Sequence, residues 1–274
     1  MTETKNSKSD RSNWVIAILT AIYVLSFIYF TWRPFDKDII EVKCANDLFL
    51  KHDWGNIIFD QFFHIRNSGQ LQGNITKIEG LIKGVDEEKY KRKIKAINYN
   101  YVGYNSSYPF LEILLNPNEL YDIFFSFYKE ACKENLDTIA YYKSKIYDEI
   151  IKIRSNSKYI DLARLPIEIS DSSFKKIKKF IYKSGLEDIK EGSYEYIVQI
   201  WKNNENSPFF TKCYSFEIYN IQIEQLKESV KDYKRGNFFY SEPLSSPNYF
   251  IKVKLSEIVK TDERYKHLVD ECNK

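Results

Sequence analysis

Glycine and proline are scarce in this 274-residue chain, nine of one and seven of the other. That excludes collagen-like and Gly/Pro-rich low-complexity architectures, and it leaves few places where the backbone turns sharply without strain. Cysteine is also sparse. Cys44, Cys132, Cys213 and Cys272 lie far apart and no two share a CxxC spacing. A structural zinc site draws its ligands from short-spaced pairs, so this spacing argues against zinc. Four cysteines allow three full pairings and the sequence chooses none of them. The simplest expectation is four small, buried apolar side chains. The histidines are only His52, His64 and His267, and no two are four residues apart, so the adjacent pair His52-Asp53 is at most half of a metal site.

Net charge is lacking too. Forty-one basic residues stand against 38 acidic, a balance of +3. Lys5, Lys8 and Arg11 against Glu3 and Asp10 supply +1 of that, which leaves +2 for the remainder (3 − 1). Such a balance gives no field to recruit nucleic acid or an anionic surface. The phosphate-cradling and dinucleotide glycine motifs are absent, as are G-x-S-x-G and H-E-x-x-H. Gly80-Leu-Ile-Lys-Gly84 has the wrong spacing for a phosphate loop. The expectation is therefore no cofactor, no metal and no nucleic-acid partner.

One stretch lacks charge altogether, from Trp14 to Trp32. As a helix rising about 1.5 Å per residue it covers roughly 28 Å, close to the hydrocarbon thickness of a bilayer. A tryptophan stands at each end, where an indole suits the lipid–water boundary. The stretch reads as a single-pass membrane anchor with Trp14, Tyr23, Tyr29 and Trp32 as its aromatic anchor residues. It is long for a cleaved signal, and Thr31-Trp32-Arg33-Pro34 supplies no small-x-small cleavage site. It lies too near the start to be the centre of a large core. Basic residues flank it almost equally, with Lys5, Lys8 and Arg11 before and Arg33, Lys37, Lys43 and Lys51 after. A short basic tail ahead of a first anchor favours a cytoplasmic N-terminus, so the large domain is expected outside the cytoplasm.

The remainder divides into a disordered polar tail (1–13), a linker (33–54) and one α+β domain (55–274). Ile39, Ile40 and Val42 are placed to start a strand. In Ile58–Arg66, Phe59, Phe63 and Ile65 share a face on which Gln61 is the exception. Asn67-Ser68-Gly69 is turn chemistry, and a second strand follows to Ile82, with Gly80 and Gly84 marking a bulge or bend. This strand–turn–strand unit resembles the opening hairpins of immunoglobulin-like sandwiches, and the resemblance implies an antiparallel sandwich-like or half-barrel body. Asp86–Lys93 reads as a solvated charge run, followed by strands at 94–102 and 110–115 with a loop at 103–108 between them.

The period then changes. Leu120, Ile123, Phe124, Phe127, Tyr128 and Ala131 recur at helical spacing behind a plausible N-cap, Asn118. With a second helix near 136–154, burying Ile139, Tyr142, Ile146, Ile150 and Ile153, this predicts a helical hairpin inserted at about 117–155. Further on come a short edge strand at Leu165–Ile169, a helix capped by Asp171 or Ser172, strands at 194–201 and 209–221, a helix at 222–234, and a last strand at 249–255 before a helical tail.

Three patterns invite chemistry. Ser172-Ser-Phe-Lys175 matches the S-x-x-K of penicillin-interacting enzymes, but Lys260-Thr261-Asp262 lacks the glycine of their K-T-G element, so a helix cap is the plainer reading. Interleaved tyrosines such as Asn98-Tyr-Asn-Tyr101 are read as core and surface packing. Asn74-Ile-Thr76 and Asn105-Ser-Ser107 fit the glycosylation pattern and matter only in a eukaryotic secretory route. Together these point to a membrane-anchored, non-catalytic binding protein whose partners are the membrane and another protein. An anchored hydrolase and a membrane-disrupting effector are the alternatives.

Overall fold

Two residues set the first register. In the computed structural model of the chain, strands β1 (Ile40–Asp53) and β2 (Asn56–Asn67) are joined by Trp54 and Gly55, both at positive φ (+49° and +88°). A two-residue loop of this kind matches the right-handed twist of the strands it connects. Trp54 tolerates the left-handed conformation because its N–H donates to the Tyr233 hydroxyl at 2.8 Å. Gly55 has no alternative, since a Cβ there would lie 2.0 Å from the carbonyl oxygen of Ile181. The structure describes residues 7–32, 38–85, 90–102, 107–129, 131–156, 168–203, 205–235 and 250–273.

The remaining elements follow in order: β3 (Gly73–Gly84), β4 (Lys91–Tyr101), the short β5 (Tyr108–Pro109) and β6 (Ile113–Leu115), and β7 (Leu120–Tyr128). Next come α2 (Lys133–Asn156), α3 (Asp171–Ile181) with a wide turn to Leu186, β8 (Gly192–Lys202) and β9 (Phe210–Ile218). The chain continues through α4 (Asn220–Glu228), a 3-10 segment (Ser229–Arg235), β10 (Ile251–Lys254), β11 (Ser256–Ile258) and α5 (Glu263–Cys272). Ahead of them all stands α1 (Ser7–Trp32).

Every strand pairing is antiparallel, in one sheet ordered β10-β1-β2-β7-β4-β3-β8-β9-β11, with β5 and β6 added beside β4 and β3. The two ends of that order are consecutive in sequence. β10 pairs with β1 (Leu50 opposite Ile251), and β11, which begins two residues after β10 ends, pairs with β9 (Ile258 opposite Cys213). Leu255 between them is buried and its N–H reaches Asn46 O at 2.9 Å. One extended segment thus switches edges and draws the sheet into a nearly closed barrel of eight staves. Closure removes the open edges that invite aggregation, and eight strands enclose a space that side chains can fill.

They do fill it. Leu48, Leu50, Phe59, Phe63, Phe125, Phe127, Tyr196 and Tyr214 are fully buried within one continuous core. Each such side chain contributes on the order of 2 kcal/mol through the apolar surface it removes from water. A smaller cluster lies on the outer face of β3, β8, β9 and β11, where Leu81, Ile197, Cys213 and Ile258 receive Leu268 of α5. One end of the barrel is covered by α2, α3, α4 and the 3-10 segment through Ile146, Ile150, Ile177, Ile181, Leu226, Val230 and Tyr233. The other end carries the β2–β3 turn and the start of β1.

Several expectations are corrected. The inserted hairpin at 117–155 is one strand and one helix, because β7 takes the place of its first helix. Ile123, Phe125 and Phe127 face the core, while on the opposite face Phe124 meets Phe49 and Phe62 at 6.2 and 5.4 Å between ring centroids. Apolar residues on both faces satisfied a helical template by coincidence. Asn118 caps nothing, and its φ of +63° makes it a turn residue. The expected linker is a strand from Ile40 onward, and residues 7–13 of the expected tail continue α1. The strands form one curving sheet, the half-barrel alternative carried further, in place of two facing immunoglobulin-like sheets. The bulge of β3 falls between Ile75 and Lys77; Gly80 is instead where a Cβ would press on Ile197 O at 2.5 Å. Lys91–Lys93 of the charge run belong to β4, while Asp86–Lys89, and Leu165–Ile167 of the expected edge strand, lie outside the described residues. The α+β class, the predominance of antiparallel strands, and the shared face of Phe59, Gln61, Phe63 and Ile65 are as expected.

Candidate functional site

The apolar helix comes first because the sequence singles it out. Trp14 and Tyr23 stand on α1 with 71% and 73% of their surface exposed, and Leu19, Ile22, Leu25 and Phe27 are exposed with them. Thr20 donates its hydroxyl to Ile16 O at 2.8 Å and so presents no free donor to its surroundings. Side chains are described for residues 14–27; those of Tyr29 and Trp32 lie outside the described residues. Among the described residues no helix is long and apolar enough to cross a membrane. Fourteen residues (27 − 14 + 1) cover about 21 Å of a hydrocarbon core of roughly 30 Å.

A cavity of about 720 Å³ opens at the helix-covered end of the barrel, between the β3–β4 side, α2 and the turn after α3. Lys91, Arg92, Lys129 and Lys190 line it together with Glu187 and Asp188. Much of that charge is already engaged. Arg92 pairs with Asp188 at 2.5 Å and Lys91 with Glu271 at 3.0 Å. Ser184, a possible nucleophile by type, donates its hydroxyl to Phe180 O at 2.9 Å. The Tyr90 hydroxyl on the same wall is buried without a hydrogen-bond partner, and burial raises its pKa, so the group stays protonated. Cys132 stands exposed at the mouth. The arrangement offers hydrogen bonds and charge. Among the described residues it does not place a nucleophile beside a base.

The histidines separate. His52 is buried, with Nε2 at 2.9 Å from Ser229 Oγ. Ser229 donates its own proton to Leu226 O at 2.7 Å, so Nε2–H must be the donor and Nδ1 is left bare; Nδ1 is buried without a partner. The ring stacks on Tyr233, and burial lowers its pKa to about 4. His52 is thus a neutral core residue. His64 lies half exposed on the outer face, 2.8 Å from Asp122, as its alternation with Phe63 and Ile65 predicts. His267 reaches Lys83 and Glu271 on the outside. Among the described residues no three His, Cys, Asp or Glu side chains gather as metal ligands.

The cysteines are all free. Burial raises Cys44 and Cys213 to about 12 and Cys272 to about 11, which keeps these thiols protonated and inert. Of the four side chains expected to be buried only Cys213 is fully so: Cys44 and Cys272 are partly buried, and Cys132, just ahead of α2, is exposed. Ser172 and Lys175 are both exposed on the first turns of α3. The cap is Ser170, ahead of both Asp171 and Ser172, and it is held with Ser173 by Glu149 of α2.

Sequence reasoning missed the cavity entirely, since its residues come from four separated segments. No family model and no curated protein sequence matches the chain. A solved structure, the sporulation control protein Spo0M from Bacillus subtilis, is similar over 83% of this chain and 70% of that one, at 10% identity and a TM-score of 0.24. At that score the likeness carries no statement of fold or function.

Proposed function

We propose that the chain is a membrane-tethered, non-catalytic binding protein whose barrel lies outside the cytoplasm and meets another protein there. The observation that carries this reading is the charge-free run Trp14–Trp32, which forms a helix and leaves its described apolar side chains uncovered. A water-soluble surface rarely presents so large an apolar area without a purpose. The filled barrel supports a structural body over a ligand carrier, because its interior is occupied by the chain's own side chains. A tether raises the domain's local concentration at the bilayer, which suits recognition of a partner confined to the same surface, as for an immunity, envelope or defence component. The experiment is a pair of reporters fused after Lys274, one active only in the cytoplasm and one only outside it. The reading expects activity outside. Activity confined to the cytoplasm would reverse the orientation and remove extracytoplasmic partners from consideration.

A further inference from the structure

Apart from α1 and α2, the exposed large apolar side chains are unevenly placed. Val85, Tyr219 and Ile221 stand at the helix-covered end and Val259 just after β11, whereas Ile39, Leu71, Val102, Tyr108, Leu111, Leu114 and Leu120 collect at the other end of the barrel. Topology puts them there. Ile39 immediately precedes β1, and Leu71 sits in the β2–β3 turn. Val102 follows the last residue of β4, and Leu111 turns β5 into β6. Leu114 lies opposite Asn74 at the start of β3, and Leu120 opposite Arg66 at the end of β2. This is the rim away from the helices, and Leu111 on it is 79% exposed. Single exposed apolar residues need no explanation, but a collection of them at one edge does.

The same rim is fastened to α1. Asp38 accepts from Lys202 Nζ at 3.2 Å and from Asn203 Nδ2 at 2.9 Å, which pins the chain to the β8 side of the rim. Six Cα steps separate Trp32 from Asp38, and a fully extended chain covers at most about 22 Å in that distance. Whatever surface holds the end of α1 therefore holds this rim close by.

We propose that the rim's apolar side chains rest in the headgroup layer of the bilayer that holds α1, so that the helix-covered end of the barrel points away from the membrane. This rests on the membrane reading above. The occupant is lipid because the short connection brings the bilayer surface to this rim. Its charges also identify the attraction. Asp38, Glu41, Glu112 and Glu119 stand on the rim against Arg66 and Lys202, and Lys202 is already paired with Asp38. An acidic balance gives no pull toward anionic headgroups, so burial of apolar surface is the driving term and a zwitterionic bilayer suffices.

The test uses the full chain reconstituted in phosphatidylcholine vesicles. An environment-sensitive fluorophore is attached at Leu111→Cys in a Cys132→Ser background, or at native Cys132 in the unaltered chain as the far-end reference. The Leu111 probe is expected to emit to the blue of the Cys132 probe, to lose its quenching by aqueous iodide, and to be quenched by lipids spin-labelled near the headgroup. Adding anionic lipid leaves these readings unchanged. A Leu111 probe as open to iodide as the one at Cys132, in vesicles from which carbonate releases no protein, would overturn the rim proposal and leave the anchor standing. Shielding that appears only with anionic lipid would overturn its apolar basis. Release of the protein by carbonate would remove both readings together.

Discussion

Gln61 shows how much a single side chain contributes to this barrel. It occupies an apolar row and is fully buried, yet both ends of its amide are satisfied. Its Nε2 donates to Ala45 O at 3.0 Å, within the irregular stretch where the β1–β2 register shifts, and its Oε1 accepts from the Tyr196 hydroxyl at 2.9 Å. Replacing it with leucine keeps the volume and strands the buried Tyr196 hydroxyl and the part-buried Ala45 carbonyl, at a cost of about 1–3 kcal/mol for the buried group. Gln61→Leu should therefore lower the denaturation midpoint, and Gln61→Leu combined with Tyr196→Phe should recover part of the loss. Two fully additive losses would mean the pair does not interact. His52 makes a pH-dependent contribution. The unfolded imidazole takes up a proton near its ordinary pKa of 6.5, while the folded one resists until about 4. Between those values the unfolded state binds more protons, so stability falls on acidification through that window and this group takes no more below it. The shift corresponds to about 3 kcal/mol. Denaturation at pH 7 and pH 4 should show a steeper loss in the native chain than in His52→Gln, and parallel losses would contradict the assignment. The sequence marked Gln61 as an exception in its row and His52 as half of a metal site. It could not show that one bonds across to β8 or that the other lies under Tyr233, because both partners are more than a hundred residues away.

At the scale of elements, the turn at Trp54–Gly55 couples the first hairpin to the helices. Gly55 lies against the C-terminal carbonyl of α3, so an added methyl group meets backbone and an unfavourable φ at once. Gly55→Ala should cost on the order of 3 kcal/mol, which for a domain of this size lowers Tm by about 10 °C. An unchanged Tm would show that α3 does not press on the turn. Strands with one more deeply buried face were legible, as in β2 and β9, since alternation is the direct imprint of a half-buried pleat. One element with two apolar faces was not. β7 carries Phe124 outward and Phe125 and Phe127 inward, and period 2 and period 3.6 then fit equally well. α2 shows the opposite case: Ile146 and Ile150 are buried as expected, but Ile153 in its last turn is exposed among the described residues.

At the scale of the molecule, closure decides what the barrel can be. Pairings such as β2 with β7 and β3 with β8 join segments far apart in sequence, and nothing in local periodicity encodes them. The seam depends on a single extended segment, β10–β11, which reads in sequence as one ordinary last strand. The result is a filled body with helices at one end and, at the other, an apolar rim joined by a short connection to the end of the chain's most apolar helix. The central claim is that Trp14–Trp32 resides in lipid and holds this body at the surface. The most direct test is to wash membranes from cells making the full chain with alkaline carbonate and to determine the mass of what remains. The account predicts the intact chain in the pellet. Intact chain in the supernatant, or a product shortened by its first thirty or so residues, would contradict it.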